Sequence, residues 1–291
     1  MNLPQELLDE ILSYLPPDDR QGKWPLRNYS LVAKSWVNPS RRWLFKTIKI
    51  RERNLQSWLD TISPANRGLL QHVHSLSYIT DTRAQRSRFL PEHCIDILRD
   101  YLPSFQQLRH LSLFSIRITS EISHQVEIFS AFQHTLSRLS LNYCSVTISA
   151  LIALINYFPH LDCLDLDNPL YYIDGAPAIP LSHPLISKLY IPHCYDYDLD
   201  LLDQLSGHGL TFDEIVINYD IKLPLYTLAR IVDALGANIK CLRILFSLSG
   251  CMYIAQESTA RLAKSKTVLL QIVRDMTDLQ HCSPIAGSSG N

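Results

Sequence analysis

The chain has 291 residues, 46% of them hydrophobic, which is enough to bury a sizeable core as one large domain or two smaller ones. Its 27 basic and 28 acidic residues leave a formal net charge of −1, so no global field draws it to nucleic acid or to an anionic membrane. Nine glycines are few for this length and weigh against glycine-rich phosphate-cradling folds, and the seven cysteines are scattered without a CxxC pair, as reduced thiols of the cytosol or nucleus would be.

The opening segment is amphipathic. Leu3, Leu7, Leu8, Ile11, Leu12 and Leu15 fall at helical spacing, Pro4 is tolerated in a first turn, and Pro16-Pro17 stops the helix. Glu6, Asp9 and Glu10 interrupt the segment too early for a secretion signal. Leu26, Leu31, Val32 and Trp36 supply a second stripe that is expected to end before Pro39. Helices this short cannot close a core of their own, so apolar surface is expected to stay exposed.

From Phe45 onward an apolar-x-x-apolar-x-apolar pattern recurs. It appears as Phe45-Ile48-Ile50, Val73-Leu76-Tyr78, Leu108-Leu111-Leu113 and Leu136-Leu139-Leu141. It continues as Leu161-Leu164-Leu166, Ile186-Leu189-Ile191, Phe212-Ile215-Ile217 and Ile239-Leu242-Ile244. Between middle residues the steps are 28, 35, 28, 25, 25, 26 and 27, in or near the range of leucine-rich repeats. Helical periodicity lies between some of these cores, at Cys94–Leu102, Ile148–Phe158 and Tyr226–Leu235. Each unit therefore reads as a strand followed by a helix or an irregular return, with neighbours stacking into one continuous core.

Beyond Leu248 the pattern fades. Ala255–Val273 is expected to hold a further helix and a last strand around Val268-Leu269-Leu270, and the Ser/Gly-rich end is expected to be disordered. The resulting division is a helical module at 1–45, a repeat array at 46–275 and a tail at 276–291. An unrelated α/β domain with buried strands is the alternative.

The sequence has no Walker loop, GxSxG elbow or HExxH helix. Asp196-Tyr197-Asp198-Leu199-Asp200 is similar to the start of a calcium loop, but Leu201 stands where such a loop needs glycine and Gly207 where it needs the bidentate glutamate. A solvated acidic loop is the better reading. His72 and His74 would share one face of a strand, yet no third ligand accompanies them. No metal, no cofactor and no catalytic residue are expected. The apolar run Ile148–Phe158 is too short to span a bilayer.

Side chains that alternate with the buried positions must emerge on the other side of each strand. Arg138, Asp165, Asp167, Lys188, Tyr190, Glu214 and Arg243 are the candidate partner-binding residues on that face, flanked by Tyr171, Tyr172 and Tyr195. Charged and aromatic groups together suit protein recognition.

Leu3-Pro4-Gln5-Glu6-Leu7, Ile11-Leu12-Ser13-Tyr14-Leu15-Pro16 and Leu31-Val32-Ala33-Lys34-Ser35-Trp36 stand in order at the start of the chain. This arrangement resembles the F-box, and with the repeats behind it the chain is similar to fungal-type F-box proteins with leucine-rich repeats. Asp19-Arg20 and Ala33 replace an Asp-Leu and a Cys frequent in that family. Cys144 and Cys194 each stand three residues past a third apolar position, where leucine-rich repeats carry Asn or Cys.

The resemblance implies an α/β architecture: a three-helix F-box followed by an irregular solenoid, a curved parallel sheet with helices on its convex side. It implies that Leu3, Pro4, Leu7, Leu8, Ile11, Leu15, Leu31, Val32 and Trp36 dock on a Skp-family adaptor, and through it on a cullin. The repeat face would hold an unknown protein substrate in the cytoplasm or nucleus, with no nucleic acid or membrane as partner. A repeat scaffold without a ubiquitin-ligase role is the rival reading.

Overall fold

The computed structural model describes residues 7, 10, 34–61, 64–80, 102–118, 126–168, 170–172, 185–192, 201–202, 204–205, 207–220, 239–247 and 257–261. It divides into two compact units, Met1–His183 and Pro184–Asn291, and the description below takes each by itself.

In the first unit, helix α1 (Lys34–Phe45) leads into strand β1 (Thr47–Arg51) and the short helix α2 (Leu55–Thr61). Next come β2 (Ser75–Ile79), β3 (His110–Phe114), β4 (Arg117–Ile118), β5 (Arg138–Asn142) and β6 (Ser145–Thr147). Helix α3 (Ile148–Tyr157), β7 (Cys163–Asp167) and β8 (Leu170–Tyr172) complete it. Strands β1, β2, β3, β5 and β7 pair in that order, all parallel. Parallel pairing follows from the connections, which return the chain to the same end before each new strand.

The register stacks the repeated leucines. Ile48, Leu76, Leu111, Leu139 and Leu164 lie opposite one another, and so do Ile50, Tyr78, Leu113, Leu141 and Leu166. All ten are buried, so an alternation visible within one strand becomes two continuous apolar rows across five. At the leading edge the backbone bonding repeats too. The carbonyls of Lys46, His74, Arg109 and Ser137 each accept two consecutive N–H groups from the next strand, at 2.8–3.0 Å.

Past the other end of the strands, Ser115, Tyr143 and Asn168 each stand one residue beyond β3, β5 and β7, with φ of 56°, 54° and 48°. This left-handed step turns the chain into β4, β6 and β8, which form a second, parallel three-stranded sheet. Cys144 follows the turn after β5. Its buried thiol lies 3.3 Å from the Leu113 carbonyl, and burial pushes that thiol up to about 12, so it stays protonated and able to donate. The second sheet has no counterpart among the sequence expectations, because two or three residues carry too little periodicity to register.

The described returns are mostly tight 3-10 segments, at Pro64–His72, Leu102–Ser104 and Val126–Phe132. Helix α3 is the expected helix at 148–158. The Thr147 hydroxyl accepts the Ala150 N–H at its start, and Leu151, Ile152, Leu154 and Ile155 are buried. Phe158 stacks on Phe132 at 6.2 Å and meets Phe129 at 6.0 Å, which joins two successive returns. The expected helix at 226–235, most of that at 94–102, and the strand at 268–270 lie outside the described residues.

Two expectations are corrected. The second apolar stripe does not end before Pro39: α1 carries Pro39 in its interior and runs on to Phe45. Helix α1 packs against Pro64–His72 and β1, and this contact offsets the hydrogen bond that proline cannot make. The second correction concerns Ala255–Val273, expected to hold a further helix and a strand only around 268–270: residues 257–261 within it form a strand.

In the second unit, β9 (Leu185–Ile191), β10 (Thr211–Asp220) and β11 (Ile239–Ser247) are parallel, with Leu189, Ile215 and Leu242 in register. β12 (Glu257–Arg261) pairs antiparallel with β11 and supplies that strand's edge with hydrogen-bond partners, a tertiary demand no local pattern announces. Leu201, Leu202 and Leu205 are buried between β9 and β10 in the chain.

Candidate recognition surfaces

In the first unit, the strand face opposite the leucine rows carries a hydrogen-bond chain across four strands. Ser75 on β2 lies 3.3 Å from His110 Nδ1 on β3, and His110 Nε2 lies 2.9 Å from Ser140 Oγ on β5. The Ser140 hydroxyl then donates to Asp165 Oδ2 on β7 at 2.6 Å. The same Oδ2 accepts Arg138 Nε and Nη2, each at 2.7 Å, while the Cys163 thiol lies 3.4 Å from Oδ1.

Proton accounting orients this chain. Ser140 has one hydroxyl proton and gives it to an acceptor-only carboxylate, so its oxygen receives the Nε2–H of His110. A neutral His110 is therefore the Nε2–H tautomer, whose Nδ1 accepts from Ser75. Asn142 Nδ2 donates to Ser112 Oγ at 3.1 Å and ties β5 to β3 a second time.

Asp165, a candidate partner-binding residue, is interior to this face rather than on its surface. Its side chain is 8% exposed, against 46% for its partner Arg138, and Ser112 and Ser140 beside it are buried as well. The central row of this face is small or short enough for the longer side chains to fold over it. Asp167, two residues on, is half-buried.

In the second unit, Lys188 on β9, Glu214 on β10 and Arg243 on β11 form an ion triad. Glu214 lies 3.3 Å from Lys188 Nζ and 3.1 Å from Arg243 Nη2, and all three are partly solvated. Tyr190, half-buried, lies in register with Val216, which in turn pairs with Arg243.

The sequence-named residues therefore fall into two sets, Arg138, Asp165 and Asp167 in one unit and Lys188, Tyr190, Glu214 and Arg243 in the other. His110, Ser75 and Ser112 were missed. The signal was available: each occupies a strand position alternating with a leucine, but uncharged residues did not mark themselves as partners for a charge.

His72 ends a 3-10 segment and His74 precedes β2, so the pair does not share a strand face as expected. His74 Nδ1 lies 2.9 Å from the His72 carbonyl. Burial first, then the positive charge of Arg42, holds His72 below its ordinary pKa. Burial also leads for His74, with Arg109 and Lys46 adding to it against a raising bond to the His72 carbonyl. Among the described residues, no three His, Cys, Asp or Glu side chains converge as a metal site would require. No helix among them is long and apolar enough to cross a membrane.

Of the expected adaptor-binding residues, Leu7 is helical and 45% exposed, and Trp36 lies within α1. Leu3, Pro4, Leu8, Ile11, Leu15, Leu31 and Val32 lie outside the described residues, as do Tyr195 and the acidic stretch 196–200. No curated protein matches the chain. Residues 1–38 match the F-box domain, and that match supports placing the chain among the F-box proteins.

Proposed function

We propose that this chain is a substrate-recognition adaptor of a Skp–cullin–F-box ubiquitin ligase, and the match of residues 1–38 to the F-box domain is the observation that carries the reading. F-box domains generally bind the Skp-family adaptor within such complexes, and the match supports a general adaptor role. The exposure of Leu7 supports an apolar surface left for a partner. The remainder of the chain reads as fungal-type leucine-rich repeats. The in-register leucine rows, the recurrent turn and the Cys144 thiol against the Leu113 carbonyl of the preceding strand support the repeat reading.

Within this reading the chain performs no covalent chemistry. By holding adaptor and substrate together, it raises the effective concentration of substrate lysines near a charged conjugating enzyme, in the cytoplasm or nucleus. Residues 1–45 dock, and the strand-face residues of each unit hold the substrate. Asp165 serves that face by positioning Arg138. The better probes of substrate capture are Tyr190 and Arg243, which are less buried.

The test is co-purification of the full chain with the adaptor. Leu8→Ala and Trp36→Ala should each weaken adaptor binding by about 2 kcal/mol or more, roughly 30-fold. If both variants retain the adaptor as well as wild type does, the reading fails. Tyr190→Ala with Arg243→Ala should keep the adaptor and lose a substrate in interaction proteomics. The rival scaffold reading draws on the packing of α1 against Pro64–His72 and β1, as a capping helix would pack. It predicts that no adaptor co-purifies at all.

A further inference from the structure

Charge is unevenly placed at the junction of the F-box match and the first strand. Between residues 41 and 53 stand Arg41, Arg42, Lys46, Lys49, Arg51 and Arg53, against the single carboxylate of Glu52. The chain as a whole is nearly balanced, so this is a local concentration. Arg41, Arg42, Lys49, Arg51 and Arg53 are all exposed. Lys46 is half-buried, with its ammonium 4.3 Å from the Trp43 ring centroid.

The backbone extends the cluster along the leading edge of the sheet. His74 N–H donates to the Lys46 carbonyl at 2.9 Å, and Arg109 N–H donates to the His74 carbonyl at 2.8 Å. Lys46, His74 and Arg109 thus stand before three successive strands as cation, imidazole and exposed cation. Burial is the main cause of the lowered His72 and His74 pKa values, and the nearby charges of Arg42 for His72 and of Arg109 and Lys46 for His74 add to it.

Helix α1 begins inside the F-box match, at residues 34–38, and carries Arg41 and Arg42 beyond its end. A protein seated on the F-box would therefore continue along the helix onto these cations. We propose that Arg41, Arg42, Lys46 and Arg109 form a basic collar that meets an acidic segment of the same adaptor, extending its docking surface past the F-box.

The inference rests on the adaptor role proposed above. Continuity along α1 favours the adaptor as occupant. A chain of net charge −1 has no long-range field to gather a nucleic acid or an anionic bilayer, so short-range complementarity beside an existing interface is the better use of these charges.

The experiment measures adaptor affinity for the full chain at about 50 and about 300 mM salt. Wild type should bind several-fold more weakly at high salt. Arg41→Glu with Arg42→Glu should weaken low-salt binding by at least about tenfold and flatten the salt dependence, while Arg41→Lys with Arg42→Lys stays within about threefold of wild type. Thermal melts of each variant verify folding. Should the reversal variant not fold, the wild-type salt dependence and the lysine variant decide alone.

Salt-independent wild-type binding, or a folded reversal variant that binds as wild type does, overturns the collar and leaves the adaptor role standing. Wild type that binds no adaptor under any condition overturns both. A twenty-residue oligothymidylate and phosphatidylserine vesicles are the counter-probes. If the reversal abolishes binding to either while adaptor affinity is unchanged, the collar serves that polyanion and the proposal falls.

Discussion

Asp165 and Glu214 are two strand carboxylates with similar partners and different surroundings. Asp165 sits opposite Ser140 and reaches Arg138 two positions back on Ser140's strand. Glu214 sits opposite Lys188 on one side and Cys241 on the other, and reaches Arg243 two positions past Cys241. Asp165 is short and lies beside serines, so Arg138 folds over it and three donors converge on one oxygen at 2.6–2.7 Å. Glu214 is one methylene longer and lies between Lys188 and Cys241, and its side chain keeps 25% of its exposure, with ion pairs at 3.1 and 3.3 Å. The contrast teaches that alternation tells which side a residue faces, while neighbour size decides whether that side is surface or interior.

The apolar rows set the upper limit of effect. Leu164→Ala and Leu139→Ala each remove a side chain that is at most 1% exposed and leave a cavity between close-packed strands. Each should destabilise by about 2–5 kcal/mol, read from denaturant unfolding.

Asp165→Ala comes next. It leaves the buried Ser140 O–H without its acceptor while its oxygen still receives His110, and the half-exposed Arg138 can turn to water. The expected loss is about 1–3 kcal/mol, well above that of an ordinary surface change. Glu214→Ala should cost no more than about 1 kcal/mol, and the cost should shrink in high salt because its partners are solvated. Equal losses for the two alanine variants would break the comparison.

The smallest effect is a pH dependence. His74 is held below its ordinary value of 6.5, chiefly by burial, so the unfolded chain binds its proton more readily than the folded one. Its contribution is therefore present above the ordinary value and is lost as pH falls from there through the lowered folded value. Unfolding midpoints should drop between about pH 7.5 and pH 5.5, and the drop should be shallower in His74→Gln. An identical slope in the variant would remove His74 as the cause.

Much of the first unit was legible because its signals are local. Leu111-x-Leu113, Leu139-x-Leu141 and Leu164-x-Leu166 alternate within five-residue strands, and Ile148–Phe158 has a helical stripe with Thr147 before it to cap it. The turns were half legible. Cys144 marks its position, but nothing in Ser115 or Tyr143 announces a left-handed backbone, since serine and tyrosine adopt it only when the surrounding sheet imposes it. The candidate site was legible in its charges and not in its hydrogen bonds. His110, Ser140 and Asp165 are 30 and 25 residues apart in the chain, and only the register brings them together.

The sequence by itself determined the F-box motif order, the spacing of the apolar positions and the excess of cations at 41–53, because each is a property of residues close along the chain. Tertiary structure alone decided that Pro39 lies inside a helix, that residues 257–261 close a sheet edge, and that Asp165 is interior while Glu214 stays partly solvated. These outcomes depend on which side chains arrive from neighbouring strands and how tall they are. A carboxylate's depth is set by residues about 25 positions away, and no local pattern in Cys163-Leu164-Asp165-Leu166-Asp167 encodes them.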